Sequence, residues 1–126
     1  SDEFDENDII LDNKKFLKLL NKTKISISND DTRHYLNGVF LHISEGNGRN
    51  FLTGVATDSH RLSSSSIELE STSNFNPIIL PKKTVFQLCT LLGENSGQLI
   101  ILLKMGSTID YSYHVGWIGR LISASK

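Results

Sequence analysis

Val55-Ala56-Thr57-Asp58-Ser59-His60-Arg61-Leu62 is the stretch on which the reading of this chain turns. It closes one β-prone segment, roughly 49–57, and opens another, roughly 60–70, so the two read as consecutive strands of a meander. Asp58, Ser59 and His60 are also the residue types of a hydrolytic triad. Neighbouring residues on an extended chain point to opposite sides, so these three do not line up as orienter, nucleophile and base. No Gly-x-Ser-x-Gly elbow is present either. An enzyme built around Asp58 and His60 would need a third polar group and a deep cleft.

Working outward, 33–44 reads as the first strand of the meander. Tyr35, Val39, Leu41 and Ile43 share one parity and Leu36 and Phe40 the other, which implies partial cover on both faces. The pair Asn47-Gly48 is typical of a hairpin turn. Upstream, 9–11 is a short apolar strand, and Asp12 or Asn13 can cap a helix over Lys14 to about Lys24. Phe16, Leu17, Leu19, Leu20 and Thr23 fall on one side of that helix, and Lys14, Lys18 and Lys22 recur on the other. Ile25-Ser26-Ile27-Ser28 alternates as a strand would, and Asn29-Asp30-Asp31 signals a turn. Downstream of the meander, 71–76 is loop-like and 63–66 is a serine-rich edge strand.

The order then restarts. Ile78-Ile79-Leu80 is a short strand, and Pro81 suits the first turn of a helix. Val85, Phe86, Leu88, Cys89, Leu91 and Leu92 give that helix its apolar side, and Gly93 can end it. Phe16 and Phe86, both on apolar helix sides, leave no stacking platform for single-stranded bases. Strands near 98–103, 107–114 and 116–123 complete a second round of strand, helix and three strands. Two helices cannot cover both faces of so many strands. The expected fold is α+β, with both helices on one face of the sheet.

The chain's 126 residues suit one domain with its own core. Five of the 14 acidic residues lie in the first eight positions, so 1–7 reads as an acidic linker or tail and 8–126 as a single domain. Without that start, 13 basic residues face 9 acidic ones, and the net charge of −1 conceals a mildly basic body. The longest apolar run, Leu99–Leu103, is too short to span a membrane. With Met105 the only methionine, the chain reads as part of a longer parent. One cysteine, Cys89, makes no disulfide, and a cytoplasmic location fits. His34, His42, His60 and His114 show no metal-ligand spacing; His34 and His42 would stand roughly 27 Å apart along a strand. Tyr113 and Trp117 read as core or sheet-face residues. No catalytic, metal or cofactor site is expected.

Four stretches in order resemble the middle domain of the bacterial DNA polymerase III beta subunit, the sliding clamp. They are Arg33-His34-Tyr35-Leu36-Asn37-Gly38-Val39, Val55 to Leu62, Ile79-Leu80-Pro81-Lys82-Lys83, and the weaker Tyr113-His114-Val115-Gly116. The second is the most specific, and the resemblance covers about residues 8–126. It implies one of three similarly folded domains in each subunit of a homodimeric ring around double-stranded DNA. It also implies a pocket for short apolar peptides of DNA polymerase III, the clamp loader and repair polymerases. Carried over by position, the pocket wall comprises Leu36, Thr57, Ser59, His60, Arg61 and Leu62. The surface facing DNA carries Lys14, Lys18, Lys22, Lys82 and Lys83. Many relatives have glycine where this chain has Ser59, and the family's next segment and last domain supply the rest of the pocket. The competing reading is a protein-interaction domain with no DNA role, in which those lysines do not converge on one surface.

Overall fold

The computed structural model describes residues 9–30, 32–33, 36–70, 77–94 and 98–101. Strand β1 (Ile9–Asp12) runs directly into helix α1 (Asn13–Lys24). Asp12 makes the junction. Its backbone is extended, and its carboxylate accepts the Lys15 amide at 3.1 Å, satisfying one of the N–H groups that a helix start leaves open. Phe16, Leu19, Leu20 and Thr23 form the buried stripe, and Thr23 donates its hydroxyl to the Leu19 carbonyl at 2.9 Å. After Lys24 the chain does not become a strand. The Ser26 and Ile27 amides bond back to the Thr23 and Lys24 carbonyls, and Ser26, Ile27 and Ser28 are all buried, so the apparent alternation there was packing of a turn.

Strands β2 (Gly38–Gly46), β3 (Arg49–Thr57) and β4 (Leu62–Leu69) form the meander, and β5 (Ile78–Pro81) adds to β2. The result is an antiparallel sheet in the order β4-β3-β2-β5, with the serine-rich strand at its edge as expected. Helix α2 (Lys82–Glu94) follows, and β6 (Gln98–Ile101) pairs antiparallel with β1 as a separate two-stranded sheet. The second round is thus visible as β5-α2-β6. The strands read near 107–114 and 116–123, with Tyr113, His114 and Trp117, lie outside the described residues, as does His34.

The core lies between the helices and one face of the four-stranded sheet. Val39 and Leu41 of β2, Leu52 and Ala56 of β3, Ile67 and Leu69 of β4 and Leu80 of β5 share that face through the strand register. Helix α1 lies over β2, β3 and β4, helix α2 over β2 and β5, and the helices pack on each other. Both helices therefore cover one face, the expected α+β arrangement. The opposite face is partly open. Phe40 stacks on His42 with ring centroids 5.1 Å apart, and the Ser44, Thr53 and Ser66 hydroxyls form a cross-strand ladder at 2.7 and 2.8 Å.

Two glycines permit close approach. A Cβ at Gly54 would stand 2.6 Å from Leu19 Cδ2 and 3.2 Å from Val39 Cγ1, so α1 sits directly on the β3 backbone there. A Cβ at Gly38 would collide with the Leu80 carbonyl, so only glycine admits the β2–β5 pairing at that point.

Several boundaries differ from the sequence reading. β2 opens at Gly38 rather than at 33, because the Arg33 and Leu36 amides bond to the Asp30 and Arg33 carbonyls and coil the chain. Pro81 is the last residue of β5, opposite Gly38, rather than the first of the helix. An edge strand tolerates its missing N–H. The Lys82 amide then bonds the Asn37 carbonyl at 3.0 Å, and α2 begins. Gly93 lies within the last turn of α2, which ends at Glu94. Among the described residues, no helix is long and apolar enough to cross a membrane.

Candidate functional site

Thr57 closes β3 and Leu62 opens β4, so the four residues between them are a connection held at the sheet edge. Asp58 organises it. Its Oδ1 accepts the backbone amides of His60 and Arg61, both at 3.0 Å, and its Oδ2 accepts Arg61 Nε at 3.0 Å. These bonds, the His60 amide first, hold the Asp58 carboxyl below its ordinary value. They also withdraw His60 and Arg61 from pairing, which is why β4 starts at Leu62 and not at 60. Thr57 Oγ1 donates to the Arg61 carbonyl at 2.7 Å and receives the Ser59 amide at 3.3 Å. Ser59 stands in the left-handed region, with φ of 79°.

Asp58 is bonded to the His60 backbone and to Arg61, and the Ser59 hydroxyl accepts from Arg33 Nη1 at 3.1 Å.

Of the six residues expected in the pocket, Thr57 at the end of β3, Ser59, His60 and Arg61 in the connection and Leu62 at the start of β4 form one continuous stretch. Leu62 is 66% exposed, although the loop that leads into it is fixed by hydrogen bonds. Leu36 is half-buried on the segment between α1 and β2. That segment runs beside the loop. Arg33 reaches Ser59, the Ser26 hydroxyl bonds the Ser63 hydroxyl, and the Leu36 carbonyl accepts the Ser28 amide at 3.0 Å. Asp58, Arg33 and Ser26 carry this organisation, yet none of them was among the residues expected in the pocket. Only the run Asp58-Ser59-His60-Arg61 carried a signal, because a short acidic side chain before amides it can reach favours such turns.

The basic residues lie on the helix layer. Lys14, Lys18 and Lys22 are exposed, on the side of α1 opposite its buried stripe. They edge a shallow concavity of about 460 Å³ floored by Leu17 and by Ile25, which is 64% exposed. Lys83 is exposed on α2. None of these four makes an ion pair with a carboxylate among the described residues. Lys82 differs, being half-buried with its ammonium on Asn29 Oδ1. Lys24 Nζ lies 5.5 Å above the Phe86 ring, joining the end of α1 to the start of α2. Phe86 is 45% exposed, so it does not share the buried apolar side formed by Val85, Leu88 and Leu92. The cation over its ring is what it packs against.

The helix ends also differ electrostatically. Lys22 and Lys24 sit in the last turn of α1, where the helix dipole favours cations. Lys82 and Lys83 open α2, at the end where cations are disfavoured by about 0.3–1 kcal/mol each and anions are favoured. The first turn of α2 contains no acidic residue to offset this.

Compared with known proteins, residues 10–124 match the family model described as DNA polymerase III beta subunit, central domain. The chain belongs to that family. As a beta-subunit central domain it is 34% identical over 106 residues to the beta sliding clamp of Caulobacter vibrioides, covering 83% of this chain and 28% of that protein. It is 40% identical over 94 residues to the beta sliding clamp of Buchnera aphidicola, covering 75% of this chain and 25% of that one. Among solved structures, this beta-subunit central domain superposes on the sliding clamp of Bartonella birtlesii bound to griselimycin, with a TM-score of 0.73 and 29% identity, over 88% of this chain and 35% of that one. The chain thus spans about a quarter of the length of these curated relatives.

Proposed function

We propose that this chain is the middle domain of a non-catalytic, ring-forming sliding clamp subunit. In this reading it helps to encircle double-stranded DNA without reading sequence. It also supplies half of a docking site for short apolar peptides of DNA polymerase III, the clamp loader and repair polymerases. The observation that carries the docking role is the exposed Leu62 on a loop already fixed by Asp58. An apolar side chain held ready in this way gives a Leu or Phe of a partner something to bury at small ordering cost. Thr57, Ser59, His60 and Arg61 provide polar groups beside it for orientation, and Leu36 adds apolar area across the gap.

The DNA role is supported by the exposed lysines on two adjacent helices that cover the same sheet face. Lysines with no ion-paired carboxylate among the described residues suit phosphates, whose contacts carry no sequence information and therefore allow sliding. Lys82 is the exception among the five, since its ammonium is engaged by Asn29.

The deciding experiment is an NMR titration of the isotope-labelled chain with a Gln-Leu-x-Leu-Phe peptide. Shifts confined to Leu36, Thr57 and Ser59–Leu62 are expected. If the chain is silent, the titration is repeated on the intact ring subunit, and silence there overturns the docking role.

A further inference from the structure

We infer that Arg33 is a positioning residue for the candidate peptide loop, holding the Ser59 hydroxyl and so keeping a non-glycine residue in the left-handed bend that shapes the loop. The inference rests on the docking role proposed above. It concerns how this chain meets a backbone demand that glycine would meet without help.

Ser59 has φ of 79°, a region that disfavours a residue with a Cβ roughly five- to thirtyfold. The other described non-glycine residue with positive φ, Asn47, occupies the two-residue hairpin turn before Gly48, a place where asparagine is at home. Ser59 lies in a longer connection with no such preference. The hydrogen bonds made by Thr57 and Asp58 stay within 57–61. They fix the loop's internal shape, and the Ser59 side chain is tied elsewhere. Arg33 Nη1 donates to Ser59 Oγ at 3.1 Å, from a segment 26 residues away in sequence.

Arg33 is itself anchored. Its amide donates to the Asp30 carbonyl at 3.2 Å, and its Nε stands 3.7 Å from Asp30 Oδ2. Asp30 is fixed in turn, because its Oδ1 accepts both the Thr32 amide and the Thr32 hydroxyl and its own amide donates to Ser28 Oγ. The Ser59 hydroxyl therefore meets a donor whose position is set before any ligand arrives. Glycine at 59 would remove both the backbone penalty and the hydroxyl, and Arg33 would then have nothing to hold.

The test is a double-mutant cycle on the intact subunit with the wild type, Arg33→Ala, Ser59→Gly and the double variant, and with Arg33→Lys as the conservative change. Two readouts are taken: NMR amide-exchange rates of Ser59, His60 and Arg61, and affinity for the Gln-Leu-x-Leu-Phe peptide. Melting curves check folding. Arg33→Ala is expected to speed exchange and weaken the peptide by roughly three- to tenfold when residue 59 is serine. With glycine at 59 the same change should stay within about twofold. Arg33→Lys, which keeps the charge but offers a different donor geometry, should fall between. Equal effects in both backgrounds would mean that Arg33 acts independently of Ser59, and no effect with serine would mean that the bond is idle; either overturns the inference. If the exchange cycle is non-additive but the wild-type subunit binds no peptide, the docking role fails while the positioning of Ser59 by Arg33 stands.

Discussion

Leu19 rests on the backbone of Gly54: its Cδ2 occupies space only 2.6 Å from where a Cβ on residue 54 would stand. Leu19 is fully enclosed, so this side chain has nowhere to retreat. Gly54→Ala should destabilise the fold by about 1–3 kcal/mol through overpacking. Leu19→Ala alone should cost about 2–5 kcal/mol. Combined, the two should cost less than their sum, because shortening Leu19 makes room for the new methyl. Urea unfolding with an unchanged m-value tests this, and strict additivity would show that the two residues do not limit each other's packing.

Leu62 offers a cleaner separation of stability from binding. It is exposed, so Leu62→Ser should alter stability by no more than about 0.5 kcal/mol. Peptide affinity should fall by about tenfold or more, as the removal of one buried leucine anchor implies. Ile25 is nearly as exposed but lies on the helix layer, so Ile25→Ser should leave peptide affinity unchanged. Isothermal calorimetry on both variants compares them directly.

The Asp58 loop should respond to acid. Its carboxyl is held below the ordinary value of 3.8, first by the His60 amide and then by the Arg61 amide. A depressed folded-state pKa means that the carboxylate's contribution is fully present above the ordinary value and is lost as pH falls through the folded one. The carboxylate's loss should therefore move the His60 and Arg61 amide resonances together below about pH 4. Asp58→Asn should give the acid-form spectrum at neutral pH.

For the helix surface the measurable quantity is the salt dependence of DNA association. In the intact subunit, every lysine–phosphate interaction that is removed should reduce the slope of log K against log salt by about 0.9. Changing Lys14, Lys18 and Lys22 together to Gln should flatten that slope with no change in melting temperature. Lys82→Gln should behave differently and lower stability, because its ammonium is engaged by Asn29. An unchanged slope in the triple variant would favour a protein-interaction domain with no DNA role.

Much of this architecture was legible in the residues. The lysine period on α1 and the Asn47-Gly48 turn are local signals, and they placed the helix and the hairpin within a few residues. The errors came where side chains compete with backbone pairing. Asp58 takes amides that β4 would have used, and the turn bonds of 30–36 postpone β2 to Gly38. Pro81 fits a helix start by propensity, yet the space left by Gly38 places it in a strand. Phe86 matched the apolar pattern of its helix, but Lys24 arrives from another element, which periodicity cannot see. The bond from Arg33 to Ser59 was hidden for the same reason.

The segment between α1 and β2 has a consequence for genetics. Within five positions it carries Asn29, which engages Lys82 of the basic layer, and Arg33, which engages Ser59 of the loop proposed to dock peptides. Alleles selected for a defect in only one activity should therefore cluster at the outer residues, such as Lys14 or Leu62. Alleles in 29–33 should be pleiotropic, with second-site suppressors in either partner segment. A collection of separation-of-function mutants would then trace this connector as a gap.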